Sequence, residues 1–320
     1  MKKTTLVFVV LMVAVVVGQR LLPLPYAQAA YANTVRFEAS LYGFESGSAQ
    51  IPEMTIHYLH NFSSGKSADE YRQDSRPVLL MLHGYSADKF VWPRFARYFS
   101  DDYRIIIPDM AGHGETGYQP DWNYSGPAQA DRMKALLDQL GIEQVHVIGN
   151  SMGGFIGAHM ASRHPQVIAS ASLLAPGGVT SPQPSAMEIM RQQGRNPFVL
   201  STREEFDEFF AMTMSKQPYL PELMLRAMHA NYESRKNDLA DINAGFRKKD
   251  PLEDLLSDIQ PPVMLFWGAE DQLLHVSSVE VWQQALPDVK VKVWDDIGHM
   301  PMVEIPQESA EAVQRFLLQL

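Results

Sequence analysis

Between residues 78 and 174, short apolar runs rich in β-branched residues alternate with amphipathic stretches. Val78–Leu82, Arg104–Ile107 and Val145–Ile148 are predominantly apolar, as expected of strands buried on both sides, and Ile168–Leu174 reads as another strand. Asp88–Phe99 follows the first run, Pro127–Leu140 precedes the third and Met152–Arg163 follows it, each with helical spacing. Strands alternating with helices predict a mostly parallel sheet with helices on both faces. The alternation stops near Pro176. From Ser181 to about Asp250 the chain is helical in character, with a capping-box pattern at Thr202 and Glu205 ahead of Phe206, Phe209 and Phe210. Strand character returns at Val263–Trp267 and Val289–Trp294. Upstream, Thr34–Ala39 and Thr55–Asn61 read as short strands forming a hairpin ahead of the core, and Ser63–Glu70 reads as an exposed polar loop. The 320 residues therefore divide into an N-terminal segment (1–29), strands and a loop leading into the core (30–76), an α/β core (77–180 and 251–320) and a helical insertion (181–250).

Charge and composition narrow the function. With 27 basic and 37 acidic residues the formal charge is −10, which disfavours nucleic acid as a partner. There is no cysteine, so disulfides, thiolate metal sites and cysteine nucleophiles are excluded together. Lys2 and Lys3 precede an apolar run, Leu6–Gly18, of a length that suits a signal-peptide core and falls short of a bilayer span. Ala27-Gln28-Ala29 reads as a small-x-small cleavage site. The competing reading is an uncleaved anchor over Leu6–Leu24 with Arg20 snorkelling. Either way the chain is expected to be exported: periplasmic, secreted or anchored in the cell envelope. Cleavage would remove three positive charges and take the net charge from −10 to −13.

Gly149-Asn150-Ser151-Met152-Gly153 sits where a buried strand gives way to a helix. A nucleophile elbow needs that context, with small residues around a strained serine. Serine is a weak nucleophile and needs a base, and the base needs an orienting carboxylate. His299, in a loop just after the last expected core strand, is the base candidate, with His275 as competitor. Asp271, in the loop after Val263–Trp267, is the acid, with Glu270 as fallback. The oxyanion requires two backbone donors. Met152 N–H directly follows the nucleophile, and Tyr85 N–H lies in the loop His83-Gly84-Tyr85-Ser86 after an early core strand. His83, Asp109 and His113 read as structural. No metal site and no cofactor are expected.

His83-Gly84, Asp109…Gly112-His113-Gly114, Gly149-Asn150-Ser151-Met152-Gly153-Gly154, Gly268…Asp271 and Gly298-His299-Met300-Pro301 follow one another in an order that resembles the α/β-hydrolase superfamily. Within it, His83 to Lys89 and the segment around Ser151 are similar to the cold-active bacterial family V lipases and to membrane-anchored monoacylglycerol lipases of animals. The resemblance implies an α/β-hydrolase fold with a helical cap. It also implies ester hydrolysis on lipid-like substrates, through nucleophile Ser151, acid Asp271 and base His299. The expected partner is a small lipid or ester, probed by a cap (181–250) whose substrate-binding residues the sequence does not name. Membrane contact is expected through the N-terminal segment. Two alternatives share these residues: another α/β-hydrolase activity, such as carbon–carbon bond hydrolysis or peptide cleavage, and a non-catalytic lipid-binding envelope protein.

Overall fold

The structure, a computed structural model, describes residues 22–62, 74–247 and 251–320. The apolar run Leu6–Gly18 and the polar loop from Ser63 lie outside the described residues.

The first described element is a helix, α1 (Leu24–Leu41), followed by strands β1 (Glu45–Gln50), β2 (Thr55–His60), β3 (Val78–Leu82) and β4 (Arg104–Pro108). Helix α2 (Gly126–Gln139), β5 (Val145–Asn150), α3 (Met152–Arg163) and β6 (Ile168–Leu174) come next. Four helices then intervene before the sheet resumes: α4 (Ala186–Gln192), α5 (Arg203–Thr213), α6 (Glu222–Ser234) and α7 (Lys236–Arg247). Strand β7 (Val263–Gly268), helix α8 (Ser278–Ala285), β8 (Lys290–Trp294) and α9 (Pro306–Leu317) complete the chain.

One eight-stranded sheet has the order β1-β2-β4-β3-β5-β6-β7-β8. The strands from β3 to β8 pair in parallel, and β2 runs antiparallel to both β1 and β4. The two-residue period of a strand explains why its runs are apolar throughout. In β3, Val78, Leu80 and Leu82 belong to the core on one face, while Leu79 and Met81 belong to the core on the other. All five are buried, so neither face tolerates a polar side chain.

One expectation is corrected. Thr34–Ala39 is not a strand but the C-terminal part of α1. Its alternation is accidental: Phe37 is 64% exposed while Ala39 is buried, so the alternate positions do not share one buried face. The alanines at 27, 29, 30, 32 and 39 favour a helix over the whole segment. The hairpin exists, but its first strand is β1, Glu45-Ser46-Gly47-Ser48-Ala49-Gln50. Such a strand carries little apolar signal because it is an edge strand with one buried side chain, Ala49. Ala27-Gln28-Ala29 lies within α1, and Ala27 is fully buried.

Candidate active site

The strand-to-helix turn after β5 holds Ser151 at φ 56 and ψ −115, a conformation that costs a non-glycine residue roughly 1–3 kcal/mol. The glycines around it are required by close approach. A Cβ on Gly149 would lie 2.3 Å from the carbonyl oxygen of Gly153, and one on Gly153 would lie 2.1 Å from that of Leu82. The turn is secured by Ser151 N–H donating to Leu174 O at 3.0 Å. Met152 opens α3, so its N–H has no acceptor within the helix.

His299 Nδ1 and Asp271 Oδ2 are 2.7 Å apart, and both side chains are buried. The other carboxylate oxygen of Asp271 accepts the N–H groups of Leu273 and Leu274, each at 2.9 Å, so three donors fix the acid. Glu270 is exposed. His275 engages Ser277 instead of Asp271. Gly268 ends β7, and a Cβ there would meet the carbonyl oxygen of Ile297 at 2.1 Å. Its lack of a side chain lets the loop bearing His299 close over the loop bearing Asp271. The His299 backbone is held at both ends: its N–H donates to Thr213 O at 3.2 Å, and its carbonyl accepts from Asn150 Nδ2 at 3.0 Å. Ser151 and His299 line one cavity of about 1120 Å³.

The loop after β3 reaches the same cavity. An added Cβ on Gly84 would sit 3.5 Å from Ser151 Cβ, which sets Tyr85 beside the nucleophile turn. Two neutral histidines scaffold this loop. His83 Nε2 accepts Met110 N–H at 3.1 Å, so its Nδ1 carries the proton donated to Gly84 O at 2.8 Å. Burial pushes its imidazole down to about 4. His113 Nε2 accepts Ser86 N–H at 3.2 Å, and burial holds its imidazole well below the usual histidine range. The Tyr85 hydroxyl donates to Leu239 O of α7 at 2.6 Å, and burial raises its phenol.

Behind the loop lies a buried ion network. Lys89, 1% exposed, pairs with Asp109 and Glu115, and Asp109 also accepts the N–H groups of Lys89 and Glu115. Asn150, Thr213 and this network were not legible as a group in the sequence. An asparagine inside a serine motif, a threonine at a helix end and a lysine after a loop acquire their partners only through the fold.

Helices α4–α7 roof the cavity. Phe206, Phe209, Phe210 and Met228 give it an apolar wall, and Tyr31 of α1 also lines it. Helix α1 packs along α6, where Arg226 donates to Leu22 O at 3.0 Å.

A family model described as alpha/beta hydrolase fold matches residues 77–306. Lipase 1 of Psychrobacter immobilis is 30% identical over 243 residues, 74% of this chain and 76% of that protein. Monoacylglycerol lipase abhd6-B of Xenopus laevis is 28% identical over 260 residues, 77% of each chain. Among solved structures, a membrane phospholipase A described as a novel bacterial virulence factor superposes with a TM-score of 0.84, is 32% identical and covers 98% of both chains. A family match across most of the core, on a sheet of this order with a strained serine at its centre, establishes that the chain belongs to the alpha/beta hydrolase fold family.

Proposed function

We propose that the protein is a serine hydrolase of carboxylic esters, with acylglycerol-type lipids as substrates and an acyl-enzyme as intermediate. The observation that carries this reading is the 2.7 Å His299–Asp271 contact at the edge of a cavity that also holds strained Ser151. Ser151 Oγ attacks the ester carbonyl while His299 Nε2 takes its proton. Asp271 accepts the Nδ1 proton, fixes the tautomer and stabilises the imidazolium. The N–H groups of Tyr85 and Met152 donate to the oxyanion. His299 then protonates the departing alcohol. A water, deprotonated by the same nitrogen, attacks the acyl group and releases the acid and free Ser151. The helical cap, residues 181–250, supplies the acyl-chain wall through Phe206, Phe209, Phe210 and Met228; methionine adapts to irregular apolar shapes. Relatives named as lipases support a lipid ester over other acyl donors. Hydrolysis of p-nitrophenyl esters is expected to vanish in Ser151→Ala; retained turnover in that variant contradicts the reading.

We also propose that the protein belongs to the cell envelope with its N-terminal segment retained. Ala27 is buried inside α1, and Tyr31 about one helical turn later lines the cavity, so cleavage after Ala29 would cut the helix that walls the site. Among the described residues no helix is long and apolar enough to cross a membrane; the reading rests on the apolar sequence Leu6–Gly18 behind Lys2 and Lys3. Fractionation of expressing cells, with mass determination of the membrane-bound chain, tests this: an intact N-terminus is expected, and a chain beginning at Ala30 contradicts it.

A further inference from the structure

Glu304 accepts backbone N–H groups from two separate parts of the chain, and the hydrolytic cycle gives it no step. It ends a one-turn helix, Pro301–Glu304, that begins two residues beyond His299. One carboxylate oxygen takes the N–H of Gly298, directly before His299, at 2.9 Å. The other takes the N–H of Lys216 at 2.8 Å, three residues past the end of α5 in the cap. Both bonds belong to a longer seam. His299 N–H donates to the carbonyl of Thr213, the last residue of α5, at 3.2 Å. A Cβ on Gly298 would lie 2.7 Å from Ser215 N and 3.1 Å from Met214 Cα, so residues 213–216 run along the His299 loop at contact distance.

Helix α5 therefore serves two parts of the site. Its Phe206, Phe209 and Phe210 line the cavity, and its C-terminal end meets the loop that carries His299. The Thr213–His299 bond joins two neutral backbone groups. The two bonds to Glu304 are shorter and end on a carboxylate, and hydrogen bonds to an ionised acceptor are about twice as strong as neutral ones. The carboxylate is carried on a closed turn, because Glu304 N–H donates to Met300 O at 3.0 Å. Glu304 does not line the cavity, so its effect on a substrate must pass through the loop it holds. Resting on the ester-hydrolase reading above, we propose that Glu304 is a positioning residue that fastens the His299 loop to the cap and keeps the imidazole aligned with Ser151.

The test is steady-state hydrolysis of p-nitrophenyl butyrate by the full chain. Rates are expressed per serine titrated to completion with a fluorophosphonate, so that unfolded protein is not counted. A base displaced by a fraction of an ångström slows the chemical step without weakening substrate binding. Glu304→Ala is therefore expected to lower kcat by about 10–100-fold with KM within about twofold of wild type. Glu304→Gln keeps one oxygen for one of the two N–H groups, and its kcat is expected to fall between those of wild type and Glu304→Ala. If Glu304→Ala does not fold, Glu304→Gln decides alone, with an expected loss of about 3–10-fold in kcat. An unchanged kcat per titrated serine, or a loss confined to KM, overturns the positioning role. The fluorophosphonate also separates the two levels. Labelled wild type whose variants turn over at the wild-type rate removes the role of Glu304 alone, whereas folded but unlabelled wild type removes the hydrolase reading as well.

Discussion

Asn150 links three of the loops that carry the chemistry. Its amide donates to Leu174 O at 3.1 Å and to His299 O at 3.0 Å, and its oxygen is 3.3 Å from where a Cβ on Gly84 would be. Removing the amide leaves the His299 carbonyl without its donor, at about 1–3 kcal/mol, while Leu174 O keeps the Ser151 N–H. Asn150→Ala is therefore expected to lower kcat by roughly 10–100-fold with KM little changed, because the lost contact positions the base and not the substrate. Steady-state kinetics check this, and a change confined to KM contradicts it. Asp271→Asn acts more directly, on the tautomer of His299. A loss of roughly 10³–10⁴-fold in kcat with an unchanged far-ultraviolet spectrum is expected. At this scale the sequence was informative where a residue type is unusual in its local setting. A serine between glycines at a strand end and a histidine in a loop stand out. Asn150 and Thr213 do not, since Asn150 depends on carbonyls that arrive from residues 174 and 299, and the carbonyl of Thr213 on the N–H of His299.

The loops after β3 and β4 are joined by Lys89, Asp109 and Glu115. A buried ion pair is not strong evidence of net stability, but breaking one strands a charge. Lys89→Met is expected to destabilise the fold by about 3–5 kcal/mol, read from the urea midpoint, because Asp109 remains fully buried. An unchanged midpoint contradicts the role given to the network. By contrast, α1 buries only Ala27 and Ala39 among its side chains and is tethered by exposed pairs such as Arg36–Glu115 and Arg94–Glu38. Surface pairs contribute about 0–1 kcal/mol, so the amides of α1 are expected to exchange with solvent far faster than those of β3 and β5. The same contrast explains what could be read in advance. Strands β3, β4, β5 and β7 announce themselves because burial on both faces demands nearly continuous apolar residues, whereas β8 alternates lysines with valines. Helix α1 and strand β1 face solvent, and composition there is set by too few contacts to betray the element.

Across the whole molecule, buried neutral histidines set the acid limit. Burial pushes His83 and His159 down to about 4 and His113 well below its usual range, whereas each titrates near 6.5 once unfolded. A lowered imidazole contributes stability that is complete above about pH 6.5 and lost as pH falls toward 4, because the unfolded chain binds more protons. His83 and His159 are each worth on the order of 3 kcal/mol at the lower end, and His113 acts in the same sense. Asp88, raised to about 6, works in the opposite sense between about pH 4 and 6 and offsets part of this. Glu115 and Asp74, lowered by Lys89 and Arg76, add to the loss as pH falls through the carboxylate range. The urea midpoint is expected to fall from pH 7 to pH 5; a flat or rising profile contradicts neutral His83 and His113. The overall architecture was legible because order, spacing and strand-end placement of the motifs agree. The cavity was not, because its walls come from α1, the loop after β3 and the helices between β6 and β7, which meet only in the folded chain. The central claim is that one strained serine, served by His299 and Asp271, is the nucleophile. Incubation of the folded protein with a fluorophosphonate, followed by peptide mass mapping, measures this directly. The account predicts a single adduct on Ser151 that is lost in His299→Ala; an unlabelled Ser151, or an adduct on another residue, contradicts it.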